Sequence, residues 1–405
     1  MRERRKMAQV LAERYRRTRN RKEKGRILDE GVGLLGYHRK YAAWLLRHHG
    51  RRVRVGPRRY VVGVLGASVR RPRRRVYDGA VARALRELWG MMDMPCGKRM
   101  AAMLPVWMER LAACHAWPWD AEVTEKLRPI SAATIDRLLA PERRRLALRR
   151  RTRTKPGGML KHQIPIRTFA DWDDAAPGFM EADLVAHDGG DSRGMCLCTL
   201  NLTDVSTGWT EMEALRNKAQ VWTVEALDRI RQRLPFPLRG LDSDNGSEFI
   251  NAHLLAYCTQ HGITFTRSRP ERKNDNCYVE QKNFMAIRRF VGYARYETEA
   301  ELRILQELYG YLRLYLNFFQ ASVRWVEKVR QGSRLRRRYD APQTPYQRLM
   351  ADPRIEPAQK ERLRQVFEGL HPAELHRHIR RLQDRLWRQV ARRETPRRSG
   401  MKIPS

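Results

Sequence analysis

The chain has 405 residues, with 82 Lys or Arg against 45 Asp or Glu and a formal net charge of +37. That length predicts two or three domains, and 42% hydrophobic residues exclude a disordered chain, its ends aside. The basic excess runs along the whole chain, which points to a polyanionic partner, nucleic acid before membrane. No apolar run reaches the length of a membrane span, and the N-terminus lacks the apolar stretch of a secretory signal. Six cysteines are too few for a disulfide scaffold. No C-x-x-C occurs, so a structural zinc module is not expected, and a reducing, cytoplasmic compartment is. Cys196 and Cys198 read as small apolar residues of a strand.

In chain order, residues 1–21 read as a basic arm, amphipathic or disordered. From 22, "KEKGRILDEGVGLLGYHRKYAAWLLRHHG" predicts two short helices about a Gly-bearing turn at 33–36. Ile27, Leu28 and Val32 fit the inward face of the first, and Tyr41, Leu45 and Leu46 that of the second. This is a helix-turn-helix pattern, whose second helix enters the major groove. It leaves Arg39, Lys40 and Arg47 to solvent or phosphate. Further helices are expected over 80–113 and 123–145, with Ser131 as an N-cap and Ile135, Leu138 and Leu139 on the buried side. A helical DNA-binding region over 22–145 is therefore expected, then a basic linker over 146–164 ending near "KPGG".

The periodicity then changes. "GFMEADLVAHD" and "MCLCTLNLTDVSTGWTEMEAL" are strand-like, with a hairpin turn at Ser206–Thr207–Gly208. A helix over 218–234, a strand over 236–244, a helix over 248–262, a strand over 263–270 and a long helix over 277–296 follow. One more helix covers 298–320. Together they describe a mixed sheet flanked by helices, over 165–325. A basic C-terminal region, 326–405, completes the chain with charged helices and an Arg-rich tail.

Three acids stand out by position. Asp183 lies within the first strand of this region, Asp244 ends the fourth at "LDSDNGSEF", and Glu280 lies in the first turn of the long helix. A central strand, the end of its neighbour and a helix packed on both can converge. Three carboxylates at one point repel unless a cation intervenes. Hard oxygen ligands suit Mg2+ or Mn2+, and two such ions suit phosphodiester chemistry. Asn245–Gly246 make the turn after Asp244, and Glu248 reads as a helix cap or, alternatively, as an orienting group. Lys273, Asn276, Lys282 and Arg288 surround Glu280 in sequence and form a DNA track. His187 shares a strand face with Asp183 and reads as a hydrogen-bonded histidine near the strand end. Trp209 and Tyr278 could stack on a base, with core packing the plainer use.

"DNGSEF", "RSRPERKNDNCYVEQKN" and the 35 residues between Asp244 and Glu280 resemble the catalytic core of insertion-sequence transposases and retroviral integrases, the DDE superfamily. "MEADLVAH" followed by "LTDVSTGWTE" is similar to the first hairpin of that core. The resemblance covers roughly 165–300. It implies a ribonuclease-H-like fold, with Asp183, Asp244 and Glu280 as the metal-binding triad and Asp204 as a structural residue of the hairpin. It also implies metal-dependent cleavage and strand transfer on DNA, both element ends and target, by a homo-oligomer on paired ends. A non-catalytic DNA-binding regulator and a nuclease of the same fold remain the alternatives.

Overall fold

The computed structural model describes residues 2–57, 59–63, 76–146, 176–191, 193–243, 249, 251–267, 279, 282–331 and 334–394. The chain forms two compact units, Met1–Arg75 and Val76–Ser405. The linker expected over 146–164 lies, beyond residue 146, outside the described residues.

The first unit packs three helices, α1 (Arg2–Arg17), α2 (Arg21–Leu35) and α3 (Arg39–His48). The expected N-terminal arm is thus a helix. Ala8, Leu11 and Ala12 recur at helical spacing and bury against Ile27, Leu35, Leu45 and Leu46, enough to dock an otherwise basic segment. Asn20 caps α2 by accepting from the Lys22 N–H at 2.9 Å. Gly36, at φ +70°, ends it. The turn is therefore Gly36–His38, later than expected, because Gly33 stays helical. The inward face of α3 is Ala42, Leu45 and Leu46. Tyr41 points outward instead, in a row of rings with Tyr37, Trp44 and His48. An antiparallel ribbon, β1 (Arg52–Gly56) with β2 (Arg59–Val62), follows where helix was expected.

The second unit opens with α4 (Gly79–Met91), α5 (Gly97–Ala113), α6 (Ala121–Leu127) and α7 (Ala132–Arg145). Ser131 caps α7, accepting from the Thr134 N–H at 3.3 Å. Its five-stranded sheet comprises β3 (Phe179–Ala186), β4 (Cys198–Asp204), β5 (Thr210–Leu215), β6 (Gly240–Ser243) and β7 (Thr264–Arg267). The order is β5-β4-β3-β6-β7, antiparallel from β3 through β5 and parallel from β3 through β7. The parallel half needs a crossover, and α8 (Gln220–Arg233) supplies it between β5 and β6. α9 (Ala252–Gln260) links β6 to β7; its N-cap is Asn251, whose Oδ1 accepts from the Leu254 N–H at 2.9 Å. The cap expected at Glu248 is therefore taken by a residue three later, and Glu248 itself lies outside the described residues.

α10 is π-helical over Asn283–Arg288 and closes with the turn Arg289–Val291. The long helix expected to residue 296 stops at Gly292, whose φ of +71° breaks the helical ladder. α11 (Glu299–Phe319) starts in a capping box, Thr298 with Glu301. Then come the ribbon β8 (Trp325–Gln331) and β9 (Arg334–Tyr339), and helices α12 (Pro345–Ala351), α13 (Pro357–Gly369) and α14 (Pro372–Glu394).

The grouping of 22–145 as one helical region does not match the packing. Trp107 of α5 is buried edge-on against Tyr315 and Phe319 of α11. The Tyr315 hydroxyl donates to the Met91 carbonyl at 2.6 Å, and Arg289 pairs with Asp93 at 2.6 Å. Helices α4–α7 thus share a core with the sheet unit. The region after 326 does likewise, since Leu375, Ile379, Leu382 and Leu386 of α14 bury in the same core. Among the described residues, no helix is long and apolar enough to cross a membrane.

Candidate active site

β3 is the central strand, and Asp183 lies opposite Asn201 of β4. On its other edge the register with β6 runs from Phe179↔Gly240 to Ala182↔Ser243. Asp183 is half-buried, so its carboxylate needs donors. One oxygen accepts from the Leu184 N–H at 2.7 Å and the other from the Asn283 side-chain amide. Asn283 in turn accepts from the Asn201 amide at 2.7 Å. Two residues back along β3, Glu181 is 4% exposed and accepts the Val279 N–H at 2.9 Å. By strand alternation these two acids share a face. Together they hold Val279 and Asn283.

Of the expected triad, Asp183 is described in this setting. Asp244 and Glu280 lie outside the described residues, as do Lys273, Asn276 and Tyr278. Among the described residues, no group of three His, Cys, Asp or Glu side chains is arranged to hold a metal ion. Lys282 is half-buried at the start of α10. Crowding around its ammonium, then the positive fields of Arg99, Arg348 and Arg324, pull its pKa down to about 8. Arg288 is placed differently from a DNA track: its guanidinium donates to the Ala186 carbonyl at 2.6 Å and tethers α10 to the end of β3. In the first unit Lys40 and Arg47 are exposed, whereas Arg39 is ion-paired with Asp29 of α2.

Glu181, Asn201 and Asn283 are the participants that sequence reading missed. Asn283 is the last letter of "EQKN", and Glu181 the acid of "MEAD", so both stood inside recognised motifs. Their roles depend on contacts 82 to 100 residues apart, which local spacing does not report.

Other polar residues of the sheet are structural. Asp204 is fully buried and accepts from the Thr207 N–H at 2.7 Å, the Thr207 hydroxyl at 2.6 Å and the Gly178 N–H at 2.8 Å, which fixes the β4–β5 turn. Trp209 is core, donating to Glu211 at 2.8 Å. His187 is fully buried, 2.7 Å from the Thr199 hydroxyl, which is itself 2.7 Å from that of Tyr309. It is enclosed, with no exposed surface. Cys198 is buried in β4, whereas Cys196 precedes the strand, and a hydrogen bond from Cys198 lowers its pKa to about 7.

Buried His187 and half-buried Asp93 make stability depend on pH with opposite signs. Burial, aided by the Arg288 charge, drives the His187 pKa from 6.5 to about 3. The unfolded state then binds the extra proton, so stability falls below about pH 6.5, by up to about 1.4 kcal/mol per pH unit. Burial raises Asp93 from 3.8 to about 6, against the pull of Arg289. Its contribution favours folding at low pH and fades as pH rises through about 6. Asp93→Asn should therefore steepen the loss of melting temperature between pH 6 and 4; parallel melting curves for variant and parent would contradict this.

A mixed five-stranded sheet in this order, flanked by helices, has the layout of an integrase-type core. The family model described as integrase core domain matches residues 173–273. The "Uncharacterized protein y4rM" of Sinorhizobium fredii (strain NBRC 101917 / NGR234) is 38% identical over 342 residues, covering 84% of this chain and 93% of that protein. The catalytic core domain of BIV integrase aligns at 16% identity over 42% of this chain and 93% of that one, with a TM-score of 0.28. The chain belongs to the DDE transposase and integrase superfamily, a family of polynucleotidyl transferases.

Proposed function

We propose that this protein is a transposase that cleaves DNA at the ends of its own insertion element and joins the freed 3′-hydroxyl to target DNA. One observation carries this reading: the two acids of β3, Glu181 and Asp183, hold Val279, just before Glu280 in sequence, and Asn283, a few residues after it. The β3–β6 register supports it, because its last pair, Ala182↔Ser243, immediately precedes Asp183 and Asp244 in the sequence. Both remaining acids of the triad thus follow, in sequence, residues held on β3: Ser243 beside Ala182, and Val279 at Glu181.

On this reading Asp183, Asp244 and Glu280 hold two Mg2+ or Mn2+ ions, a fit with their hard carboxylate oxygens. Bound there, such ions supply charge stabilisation for the attacking and leaving oxygens of a phosphodiester. The protein's own part is positioning. Asn283 orients Asp183, Arg288 fixes α10 to β3, Lys282 and Lys273 neutralise backbone phosphate, and Asn276 donates a hydrogen bond to it. The first unit binds the terminal repeats, with Lys40 and Arg47 of α3 and the exposed Arg52, Arg54 and Arg59 of the β1–β2 ribbon as its cations. Arg39 supports α3 through Asp29. The active form is a homo-oligomer on paired ends, acting in the bacterial cytoplasm at the nucleoid.

Purified protein given labelled terminal DNA and Mg2+ or Mn2+ should yield cleaved and joined products. Asp244→Asn should bind that DNA with unchanged affinity and yield neither. Full activity in the variant would overturn the assignment. Cleavage without joining would make the protein a nuclease, and binding with no cleavage under any divalent ion a regulator.

A further inference from the structure

The amides beside Asp183 form a chain with a fixed direction. Asp183, as a carboxylate, only accepts, so Asn283 must turn the NH2 end of its amide towards it. The Asn283 carbonyl then faces the other way and accepts from the Asn201 amide nitrogen at 2.7 Å. With its own NH2 committed to that bond, Asn201 carries its Oδ1 on the far branch of the amide. Each step is dictated by the one before it, beginning at the carboxylate.

This arrangement works against the fold at Asn201. The residue is fully buried in β4, and no donor among the described residues reaches its Oδ1. A buried acceptor without a donor is destabilising, and an apolar side chain of the same shape avoids the penalty. The neighbours on that face of the sheet are engaged elsewhere or apolar. Met212 lies opposite Asn201 on β5. Thr199 and Thr203, two residues to either side, have partners in His187, Tyr309 and Thr210. What Asn201 does achieve is control of Asn283, which is half-buried at the start of the π-helical segment. An amide can turn over with little change of shape. Turned over, Asn283 would set its oxygen against the Asp183 carboxylate, acceptor against acceptor.

We propose that Asn201 is a positioning residue: it locks the Asn283 amide with its NH2 towards Asp183, and so keeps that carboxylate aimed for a divalent ion. The inference rests on the reading that Asp183 holds such an ion. Asn201 itself touches neither ion nor DNA, and its effect runs through Asn283.

The test is Mn2+ binding to the full-length protein, followed by the electron paramagnetic resonance of the free ion, with melting curves of the same samples before metal is added. Asn201→Leu keeps the size of the side chain and removes both its donor and its unmatched acceptor. It should bind Mn2+ about 10-fold more weakly, the low end of the range for residues that orient a ligand from behind, and melt no lower than the parent. Asn283→Ala should weaken binding as well. The double variant Asn201→Leu/Asn283→Ala should bind no more weakly than Asn283→Ala, because Asn201 then has nothing to act on. Asn201→Ser, too short to reach Asn283, should show the same loss of binding, and it decides if the Leu variant fails to fold. A lower melting temperature with Mn2+ binding unchanged would make Asn201 a residue of the fold and overturn the positioning role. Additive losses in the double variant also overturn it, and either result leaves the transposase reading standing. A parent that binds no Mn2+, with or without its terminal DNA, removes that reading and the positioning role together.

Discussion

Asp183→Asn should lower strand cleavage by about three orders of magnitude while leaving DNA affinity intact. The substitution keeps the shape of the side chain and the bond from the Leu184 N–H, and removes the charge that a divalent ion needs. Ion-derived stabilisation of several kcal/mol corresponds to a factor of that size. Asn283→Ala should lie between the variant and the parent. It removes the amide that holds Asp183 and breaks the link to Asn201, leaving the carboxylate in place. Loss of such an orienting partner typically costs about 10–100-fold. The contrast is measured by single-turnover cleavage at saturating DNA with Mg2+ and with Mn2+. Equal losses in the two variants would mean that Asn283 acts through the fold, and an active Asp183→Asn would exclude this carboxylate from the chemistry.

Trp107→Ala should destabilise the second unit by about 3–5 kcal/mol, the range for deleting a buried aromatic. Its indole is fully buried, with ring centroids 6.2 Å from Tyr315 and 5.8 Å from Phe319, and its N–H reaches the Phe319 carbonyl at 3.5 Å. The cavity would open at the seam between α5 and α11, where rigid backbone on both sides leaves little room for collapse. Urea unfolding followed by tryptophan fluorescence and by circular dichroism should show both signals shifting together to lower denaturant. A loss below about 1 kcal/mol would mean that α4–α7 contribute little to the shared core.

Legibility in the sequence followed how local the cause was. The strands around Asp183 could be read because β3, β4 and β5 are apolar runs bounded by turn residues, and Ser131 because a cap acts on the next three residues. The docking of α1 was hidden because arginines outnumber its Ala8, Leu11 and Ala12 face, and a short apolar stripe decides packing regardless of the charge around it. The allegiance of α4–α7 was not legible, since an amphipathic stripe names no partner and Trp107 meets its own some 200 residues later. The ribbon β8–β9 went unread inside the basic C-terminal region because six cations masked its pairing. At the candidate site, Asp183, Asp244 and Glu280 were chosen by motif, and Asp183 is the one among the described residues. What holds Asp183 in place could not be read in this way, because Asn283 arrives from a helix in distant sequence.

The seam at Trp107 also makes a ruler. Because α4–α7 and strand β3 share one hydrophobic interior, on the proposed reading any base pairs those helices touch lie at a fixed reach from the cut. Adding or deleting a few base pairs between that footprint and the cleaved bond should then stop the reaction, with no compensation from stretching of the protein.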